Sequence, residues 1–536
     1  MRLQAWLAPG SVFGLALTVY ALTAPAGLTW AHASADGGDL ITAAQVLGVP
    51  HPSGYPTWTL LAALFSQLPL GTAAWRATLL SMVSGATAAA LVAATVPWLT
   101  LRGAPAPEGP TDPVSTAGES RPRRSSSAVL LLSSTPALVA GLALAFAPLL
   151  WGQATVAEVY ALHACLAAAA LWALVRWQAG GDRRWAAAAG LFLGLGLGNH
   201  LTTVWLLPAA GILLWPDRRS ASGRARASAA MAAGLAAGLL VYLYLPLAAA
   251  SDPPVNWGDP RTLKGLWWLV SGQLYQGYVF AIALADVPGR LGGWSAELWR
   301  SFLPWGVAAA LLGLATLFQR NRSLAAAFSA SLLLGLAWAV GYNTSDSLLS
   351  LLPGWVILTL ALGAGLATAL DWLAGRNLHA GLAAALLSIA LAAAPLVLYW
   401  QGQDLRSDRA AEQFYSQVLQ HTPANAVVLT AGDRATFALW YGRYGLGLRP
   451  DVTPVSRDLW ALPSYRATVA SQHPDLAGPA PPAEWLDLMQ AAGQQRLLFL
   501  AQAGLADPAS SAPAIPGYRS NLVVRGDGWA LWQMER

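Results

Sequence analysis

From near its start to about residue 400 the chain alternates between long apolar segments and short polar ones. Crossing a hydrocarbon core of about 30 Å takes about 20 apolar residues in a helix. The apolar segments predict eleven helices, at 11–30, 74–99, 128–147, 157–175, 185–199, 201–215, 227–247, 302–318, 323–340, 354–373 and 379–399. This pattern predicts an all-α, multi-pass membrane protein over most of the chain.

The pattern changes after residue 400, where charged residues return. Short segments rich in β-branched residues predict strands at 426–431, 451–456, 496–501 and 520–526, with helices at 435–446 and 464–472 between them. We therefore predict two domains. Residues 1–400 form a transmembrane domain whose outer loops, 31–73 and 248–300, carry the chemistry, and residues 401–536 form a small α/β domain.

Composition supports a membrane protein, because 56% of the 536 residues are hydrophobic, only 11% are charged, and the mean hydropathy is +0.47. Soluble domains have about 25% charged residues. Lys264 is the only lysine, and the wealth of Arg, Ala, Gly, Pro and Trp is typical of a GC-rich bacterial genome. The single cysteine, Cys165, excludes an intramolecular disulfide.

The arginines predict the orientation of the helices. If the N-terminus is cytoplasmic, one set of loops carries Arg102, Arg121, Arg123, Arg124, Arg176, Arg183, Arg184, Arg218, Arg219, Arg224, Arg226, Arg320, Arg322 and Arg376. The positive-inside rule places these loops in the cytoplasm. We therefore predict a bacterial inner-membrane protein with an extracytoplasmic C-terminal domain and a flexible, disordered cytoplasmic loop at 103–127. The net charge of +5 follows from these loops and does not indicate nucleic-acid binding.

Two of the predicted helices, 185–199 and 201–215, are only about 15 residues long and meet at Gly198, Asn199 and His200. We interpret them as a helical hairpin whose tip reaches the outer face. Polar Asn199 and His200 are costly in lipid, so they are expected to be hydrated or to line a cavity.

The most informative stretch is DGGDLITAAQVLGVPHPSGYP, from Asp36 to Pro56, directly after the first predicted helix. Asp36 and Asp39 either share one face of a helical turn, or Asp36 caps a helix that starts at Gly37. Asp39 is either a proton acceptor for a hydroxyl nucleophile or a charge that stabilises the helix start. His51, held between two prolines, either donates to an anionic group or is a structural turn residue.

Glu158, Tyr160 and His163 lie at the outer end of the fourth predicted helix. A carboxylate at the centre of a membrane helix costs about 2.5–3.5 kcal/mol, so Glu158 is expected to face a polar cavity or to bond a neighbouring helix.

The loop at 248–300 contains NWGDPR, with Arg261 close to Lys264 and many aromatic residues. These two cations can hold a lipid-linked phosphate or contact lipid headgroups. The sequence lacks a P-loop, a dinucleotide fingerprint, an HExxH motif and a GxSxG triad context, which argues against cytosolic nucleotide chemistry.

Several motifs together resemble one bacterial membrane family: DGGDLITAAQVLGVPHPSGYP, AWRATLLSM, AEVYALH, GLGLGNHLT, YLYLPL, NWGDP and VVLTAGDRATFALWYGRYGLGLRPDVTPV. It is the family of membrane proteins related to protein O-mannosyltransferases, within the GT-C glycosyltransferase superfamily. The resemblance implies a GT-C fold and transfer of mannose or another hexose from a polyprenyl-phosphate donor to a protein or glycan acceptor outside the cytoplasm, with inversion. Membrane lipid is the other implied partner, and the role of a divalent metal stays open.

The resemblance also implies roles for particular residues. Asp39 is the expected base, and Asp36 begins the same motif, so both are predicted catalytic residues. His51, His200 and Arg261 are expected to contact phosphate or substrate. The other predicted substrate-binding residues are Tyr55, Glu158, Tyr160, His163, Asn199, Asn256, Trp257 and Asp259.

Two other functions fit a chain with many spans. A transporter or flippase of lipid-linked sugars would carry charges near the bilayer midplane. A non-catalytic protein of envelope-glycan assembly would bind polysaccharide through its outer domain. The polar residues singled out here gather at one face, which favours an enzyme.

Overall fold

The computed structural model describes residues 6–100, 126–214, 221–477, 481–508 and 514–536. Its first four hundred residues form a bundle of helices. Residues 103–125 of the predicted cytoplasmic loop at 103–127 lie outside the described residues. In chain order the helices are α1 Leu7–Thr23, α2 Gly37–Val46, α3 Pro56–Phe65, α4 Ala73–Thr100, α5 Ser126–Ala145, α6 Pro148–Ala154, α7 Tyr160–Gly180, α8 Arg183–Leu197, α9 Leu207–Leu214, α10 Ala221–Leu239, α11 Tyr244–Ala249, α12 Leu263–Val270, α13 Val287–Arg320, α14 Arg322–Gly341, α15 Leu352–Arg376 and α16 Leu378–Gln403.

The protein is a multi-pass membrane protein, as predicted. Among the described residues, seven helices are long and apolar enough to cross a membrane, or eight if α5 and α6, bent by 63°, count as one span. Each of the eleven predicted segments overlaps a helix. Judged by length and composition, fewer than eleven of the described helices can cross a membrane. The reason is that α1, α8 and α9 are short, and α9 follows a 3-10 turn at Leu201–Leu206.

The first helix is displaced from its predicted position at 11–30. It ends at Thr23, and Ala24 is already extended (φ −71°, ψ 147°). A residue that precedes proline is pushed out of the helical region, and Pro25 follows Ala24. The apolar residues after it therefore belong to a loop that leads to α2.

Close helix packing in the bundle depends on glycine. A Cβ added at Gly313 of α13 would lie 1.8 Å from the carbonyl oxygen of Ala361 in α15, and one at Gly365 of α15 would lie 1.9 Å from that of Ala309. Helices α8 and α10 approach each other in the same way at Gly190 and Gly234, where the corresponding distances are both 2.0 Å. Small residues let membrane helices associate through backbone contact, without a hydrophobic driving force.

We expect Gly313→Ala to destabilise the protein by about 1–3 kcal/mol, because the added methyl group must separate α13 from α15. Gly375→Ala is the matched control, since nothing lies within 4 Å of a Cβ at Gly375. In both substitutions alanine favours the helix over glycine by about 1 kcal/mol, so this effect cancels in the comparison. Thermal unfolding in detergent compares them, and equal melting temperatures would contradict the packing argument.

The loops at one end of the bundle meet one another. The backbone N–H of Thr57 donates to the oxygen of Gly198, Trp58 Nε1 donates to the oxygen of Glu158, and Val49 exchanges backbone hydrogen bonds with Val255 and Trp257. The predicted hairpin tip, with fully buried Asn199, lies at this end. We call it the polar end of the bundle.

The chain after α16 forms the predicted small sheet domain. Its helices are α17 Ala410–His421, α18 Asp433–Trp440, α19 Pro463–Gln472, α20 Pro474–Ala477 and α21 Trp485–Gly493, and its strands are β1 Val427–Ala431, β2 Thr453–Ser456, β3 Leu498–Ala503, β4 Arg519–Gly526 and β5 Trp529–Glu535. The strand order is β2-β1-β3-β5-β4. Pairs β1–β2 and β1–β3 are parallel, and β3–β5 and β4–β5 are antiparallel.

This domain packs directly on the polar end. A Cβ at Gly38 in α2 would lie 2.4 Å from the carbonyl oxygen of Phe437 in α18, so the two helices touch through their backbones. The backbone N–H of Leu405 also donates to the oxygen of Thr23 at the end of α1. The sheet domain therefore covers the loop after the first helix.

Candidate active site

Two carboxylates stand at the start of α2 in different surroundings. Asp36 is the residue before the helix, although its side chain caps no backbone N–H, and Asp39 lies in the first turn. The helix starts at Gly37, as one of the two alternatives expected, but Asp36 does not cap it with its side chain. The side chain of Asp36 is 37% exposed, whereas that of Asp39 is completely buried.

Both oxygens of Asp39 are occupied by donors from the protein. Oδ2 accepts the backbone N–H of His51 at 3.0 Å and lies 2.7 Å from His51 Nδ1, and Oδ1 accepts Trp257 Nε1 at 3.1 Å. A carboxylate held in this way fixes the loop at His51 and the loop at Trp257 to α2. This geometry does not fit the predicted role of Asp39 as the base that meets an acceptor.

His51 joins the two carboxylates. Its Nε2 lies 3.6 Å from Asp36 Oδ2, on the opposite side of the ring from Asp39. The ring stacks on Phe437 of α18 and contacts the ring of Tyr55 edge-on, with centroids 6.4 and 4.9 Å apart. Burial alone would lower the pKa of His51, but Asp36 and the hydrogen-bonded Asp39 outweigh it and raise the pKa to about 9. His51 is therefore an imidazolium at neutral pH.

Asp36 is the accessible carboxylate of this group. Desolvation is the largest cause of its shifted pKa and outweighs the attraction of His51; Asp433 and Asp39 add repulsion. The pKa of Asp36 is raised to about 6. A general base works best with a pKa near the working pH, so Asp36 has the exposure and the basicity for proton transfer.

Glu158 is a second buried carboxylate beside Asp36. Its side chain belongs to the loop between α6 and α7, it is 97% buried, and Oε1 has no hydrogen-bond partner. Desolvation, and next the charge of Asp36, raise its pKa well above the ordinary value. Trp58 and Ser81 hold the backbone oxygen of Glu158 in place. That Glu158 faces a polar cavity, rather than bonding a neighbouring helix, stays a prediction.

A further polar group surrounds the hairpin tip. Thr202 Oγ1 lies 3.0 Å from His163 Nε2 and 2.7 Å from His200 Nδ1, and Asn199 Nδ2 donates to the oxygen of Val159. The rings of Tyr160 and His200 are 5.3 Å apart. Tyr160, His163, Asn199 and His200, all predicted from sequence, therefore lie together next to Glu158.

The residues predicted from the 248–300 loop lie in two separate groups. Trp257 belongs to the Asp39 group. Arg261 instead pairs with Asp259 at 2.7 Å and with Asp252 at 2.9 Å in an exposed position, and Asn256 Nδ2 donates to Asp259. The predicted phosphate contact of Arg261 is therefore not supported by its surroundings, since two carboxylates already neutralise it.

Besides Phe437, on which the ring of His51 stacks, three site residues were not predicted from the sequence. Tyr160 donates to Asp346 in the loop before α15, the Asp433 carboxylate at the start of α18 interacts with His51, and half-buried Tyr275 lies close to Asp36 and Tyr55. Asp433 follows the glycine of LTAGDRATF, within a motif that carried the family resemblance, so a signal existed. Asp346 and Tyr275 stand in loops without a motif. Tyr55 donates to the oxygen of Pro52.

Across the described ranges, no group of three or more His, Cys, Asp or Glu side chains is arranged to hold a metal ion.

Comparison with known proteins gives sequence matches over part of the chain and structural matches over nearly all of it. Residues 36–222 match the model of the protein O-mannosyl-transferase TMEM260 N-terminal domain. The mouse (Mus musculus) protein O-mannosyl-transferase TMEM260 is 29% identical over 499 residues, covering 86% of this chain and 65% of the mouse protein. This chain thus spans slightly less than two thirds of that relative.

Two crystal structures of ArnT from Cupriavidus metallidurans share the fold. The structure bound to undecaprenyl phosphate has a TM-score of 0.57 at 12% identity and covers 97% of both chains. The apo structure has a TM-score of 0.58 at 13% identity, covering 98% of this chain and 97% of ArnT. The chain is therefore similar to a protein O-mannosyl-transferase in sequence and to ArnT in fold, which supports the predicted resemblance. Asp36, Asp39, His51, Glu158 and His200 all fall inside the stretch that the TMEM260 domain model matches.

Proposed function

We propose that this protein is a GT-C glycosyltransferase that moves mannose or another hexose from a polyprenyl-phosphate donor to an extracytoplasmic acceptor. The observation that carries the proposal is the row Asp36–His51–Asp39 at the polar end of a membrane bundle, with Asp36 accessible and Asp39 buried. It is supported by the similarity to a protein O-mannosyl-transferase and by the ArnT fold, one of whose structures binds undecaprenyl phosphate.

In the proposed reaction an acceptor hydroxyl attacks C1 of the donor sugar from the face opposite the phosphate. The new bond joins the acceptor oxygen to C1, and the bond between C1 and the phosphate oxygen breaks, which inverts the anomeric centre. Asp36 takes the hydroxyl proton, and polyprenyl phosphate leaves with the bonding electrons. His51 keeps Asp36 ionised by its positive charge, and Asp39 is a positioning residue that holds the ring of His51.

We propose that the polar end faces the outside of a bacterial inner membrane, as the arginine-bearing loops indicate. Labelling of Gln67→Cys, an exposed position between α3 and α4, tests this in a Cys165→Ala background. A membrane-impermeant maleimide should label it in intact spheroplasts as completely as in lysed ones. Labelling only after lysis would show that the polar end faces the cytoplasm.

Purified protein in lipid with radiolabelled polyprenyl-phosphate mannose or glucose tests the activity. We expect the label to pass to a soluble acceptor or to water while polyprenyl phosphate is released. A transporter or flippase would move the intact donor between leaflets without breaking the sugar–phosphate bond. Translocation without release of polyprenyl phosphate would therefore favour that alternative and contradict the proposal.

The rate should depend on pH through two groups. Asp36 is active when deprotonated, so kcat/KM is expected to rise as pH increases through about 6. His51 is active when protonated, so kcat/KM is expected to fall as pH increases through about 9. The interacting pair titrates as a unit, and the two apparent values belong to the pair. A rate that stays flat between pH 5 and 7 would remove Asp36 from the role of base.

A further inference from the structure

The hairpin tip holds His200 in one protonation state. The backbone N–H of Thr202 donates to His200 Nδ1 at 3.4 Å, and Thr202 Oγ1 lies 2.7 Å from the same atom. Because a backbone N–H can only donate, His200 Nδ1 is an acceptor, which excludes the imidazolium. In the neutral ring the proton is therefore on Nε2.

His163 orients the hydroxyl of Thr202 in turn. This hydroxyl donates to His200, so its oxygen accepts from His163 Nε2–H at 3.0 Å, and Thr203 Oγ1 lies 3.3 Å from His163 Nδ1. The chain of hydrogen bonds runs in one direction and ends at His200 Nε2–H. Within the described ranges nothing accepts a hydrogen bond from this group, and His200 is partly exposed. His200 therefore offers a neutral donor to a ligand.

Asp346 places an acceptor close to this donor. Its Oδ2 accepts the Tyr160 hydroxyl at 2.9 Å, and the rings of Tyr160 and His200 are 5.3 Å apart. Its Oδ1 accepts no hydrogen bond from the part of the chain that the structure describes, and the side chain is half-buried. Desolvation is the largest cause of the raised pKa of Asp36, and the charge of Asp346 adds to it. Asp346 therefore lies within electrostatic reach of the base.

Short contacts connect the hairpin tip with the reacting pair. The backbone N–H of Thr57 donates to the oxygen of Gly198 at 3.0 Å, which ties the tip to the start of α3. Tyr55, two residues before Thr57, contacts the ring of His51 with centroids 4.9 Å apart. His51 Nε2 lies 3.6 Å from Asp36 Oδ2. The tip and the base therefore lie on the two sides of Tyr55.

We propose that His200 and Asp346 recognise hydroxyl groups of the donor sugar, an inference that rests on the glycosyltransferase function proposed above. A neutral N–H beside a carboxylate matches sugar hydroxyls, which both accept and donate hydrogen bonds. The phosphate of the donor does not suit this place, because Asp346 repels an anion. His200, Tyr160 and Asp346 all belong to the bundle, the side from which a donor dissolved in the membrane arrives.

The test uses donors that each lack one sugar hydroxyl, with the full-length protein in lipid nanodiscs. Polyprenyl-phosphate mannose and glucose are compared with their deoxy analogues, and release of polyprenyl phosphate to water as acceptor gives kcat/KM for each donor. The variants are Asp346→Asn and His200→Ala. Asp286→Asn is the matched control, because Asp286 is exposed and, like Asp346, precedes a helical segment of the bundle without capping it through its side chain.

The wild type and Asp286→Asn should lose about 10–100-fold in kcat/KM with the analogue that lacks the hydroxyl bound by Asp346. Asp346→Asn should lose a similar factor with the complete sugar but little more with that analogue, because the hydrogen bond is already absent. His200→Ala should show the same non-additivity with the same or another analogue.

Additive losses with every analogue in either variant would overturn the proposal, since a purely structural role would not distinguish one hydroxyl from another. Failure of the proposed function has a different signature, because the wild type would then release no polyprenyl phosphate from either complete donor.

Discussion

Asp36→Asn is expected to reduce glycosyl transfer by about 10²–10⁴-fold, the usual contribution of a general base, while the protein remains folded. An asparagine cannot take up the hydroxyl proton. The side chain of Asp36 is 37% exposed and caps no backbone N–H, so its removal breaks little structure. The measurement is single-turnover transfer from labelled polyprenyl-phosphate sugar in lipid, with the melting temperature taken on the same sample.

Asp39→Asn is the matched comparison, because it makes the same change three residues away. An amide at this position presents an N–H either to the two donors of His51 or to the indole of Trp257. One donor then faces another, so we expect Asp39→Asn to lower both activity and melting temperature. Asp527→Asn, in an exposed turn, should change neither. If Asp36→Asn transfers sugar at the wild-type rate, the base is another group.

The fold was largely predictable from sequence because lipid leaves the backbone few options. A segment of apolar residues in a membrane must be helical, so the hydrophobic pattern located the bundle helices. The predicted end of α1 was wrong because the prediction followed the apolar residues past Pro25, which ends the helix. In the sheet domain, the strands at 427, 453, 498 and 519 were predicted, and β5 was missed next to its hairpin partner.

The site was predictable where one stretch of chain carries it. Asp36, Asp39 and His51 fall within sixteen residues, and their types and spacing indicated chemistry. Their division of roles was not predictable, since it depends on Trp257, more than two hundred residues away, which occupies Asp39. Asp433 and Phe437 were missed for the same reason, because only the packing of α18 on α2 brings them to His51.

That packing makes the sheet domain part of the candidate site. Phe437 provides the face on which His51 stacks, and Asp433 contributes to the raised pKa of Asp36. The proposed proton transfer by Asp36 therefore depends on the contact between the bundle and the sheet domain.

His51→Ala is expected to cost about 3–5 kcal/mol of stability, the usual effect of removing one partner of a buried ion pair, because Asp39 is left buried without its cation. His421→Ala, at an exposed position, is the control. The double variant Asp39→Asn/His51→Ala removes both charges, so it should be more stable than the sum of the two single losses predicts. Additive losses would show that the pair does not interact.

The cost of His51→Ala should also depend on pH. The pKa of His51 is raised from 6.5 to about 9 in the folded protein, so the stability it contributes is complete below pH 6.5 and is lost as pH rises through about 9. The wild type and His51→Ala should thus converge in stability between pH 7 and 10. In the same variant Asp36 loses the attraction that lowers its pKa, so the acid limb of any remaining activity should move to higher pH. An acid limb that stays at about pH 6 would show that His51 does not set the basicity of Asp36.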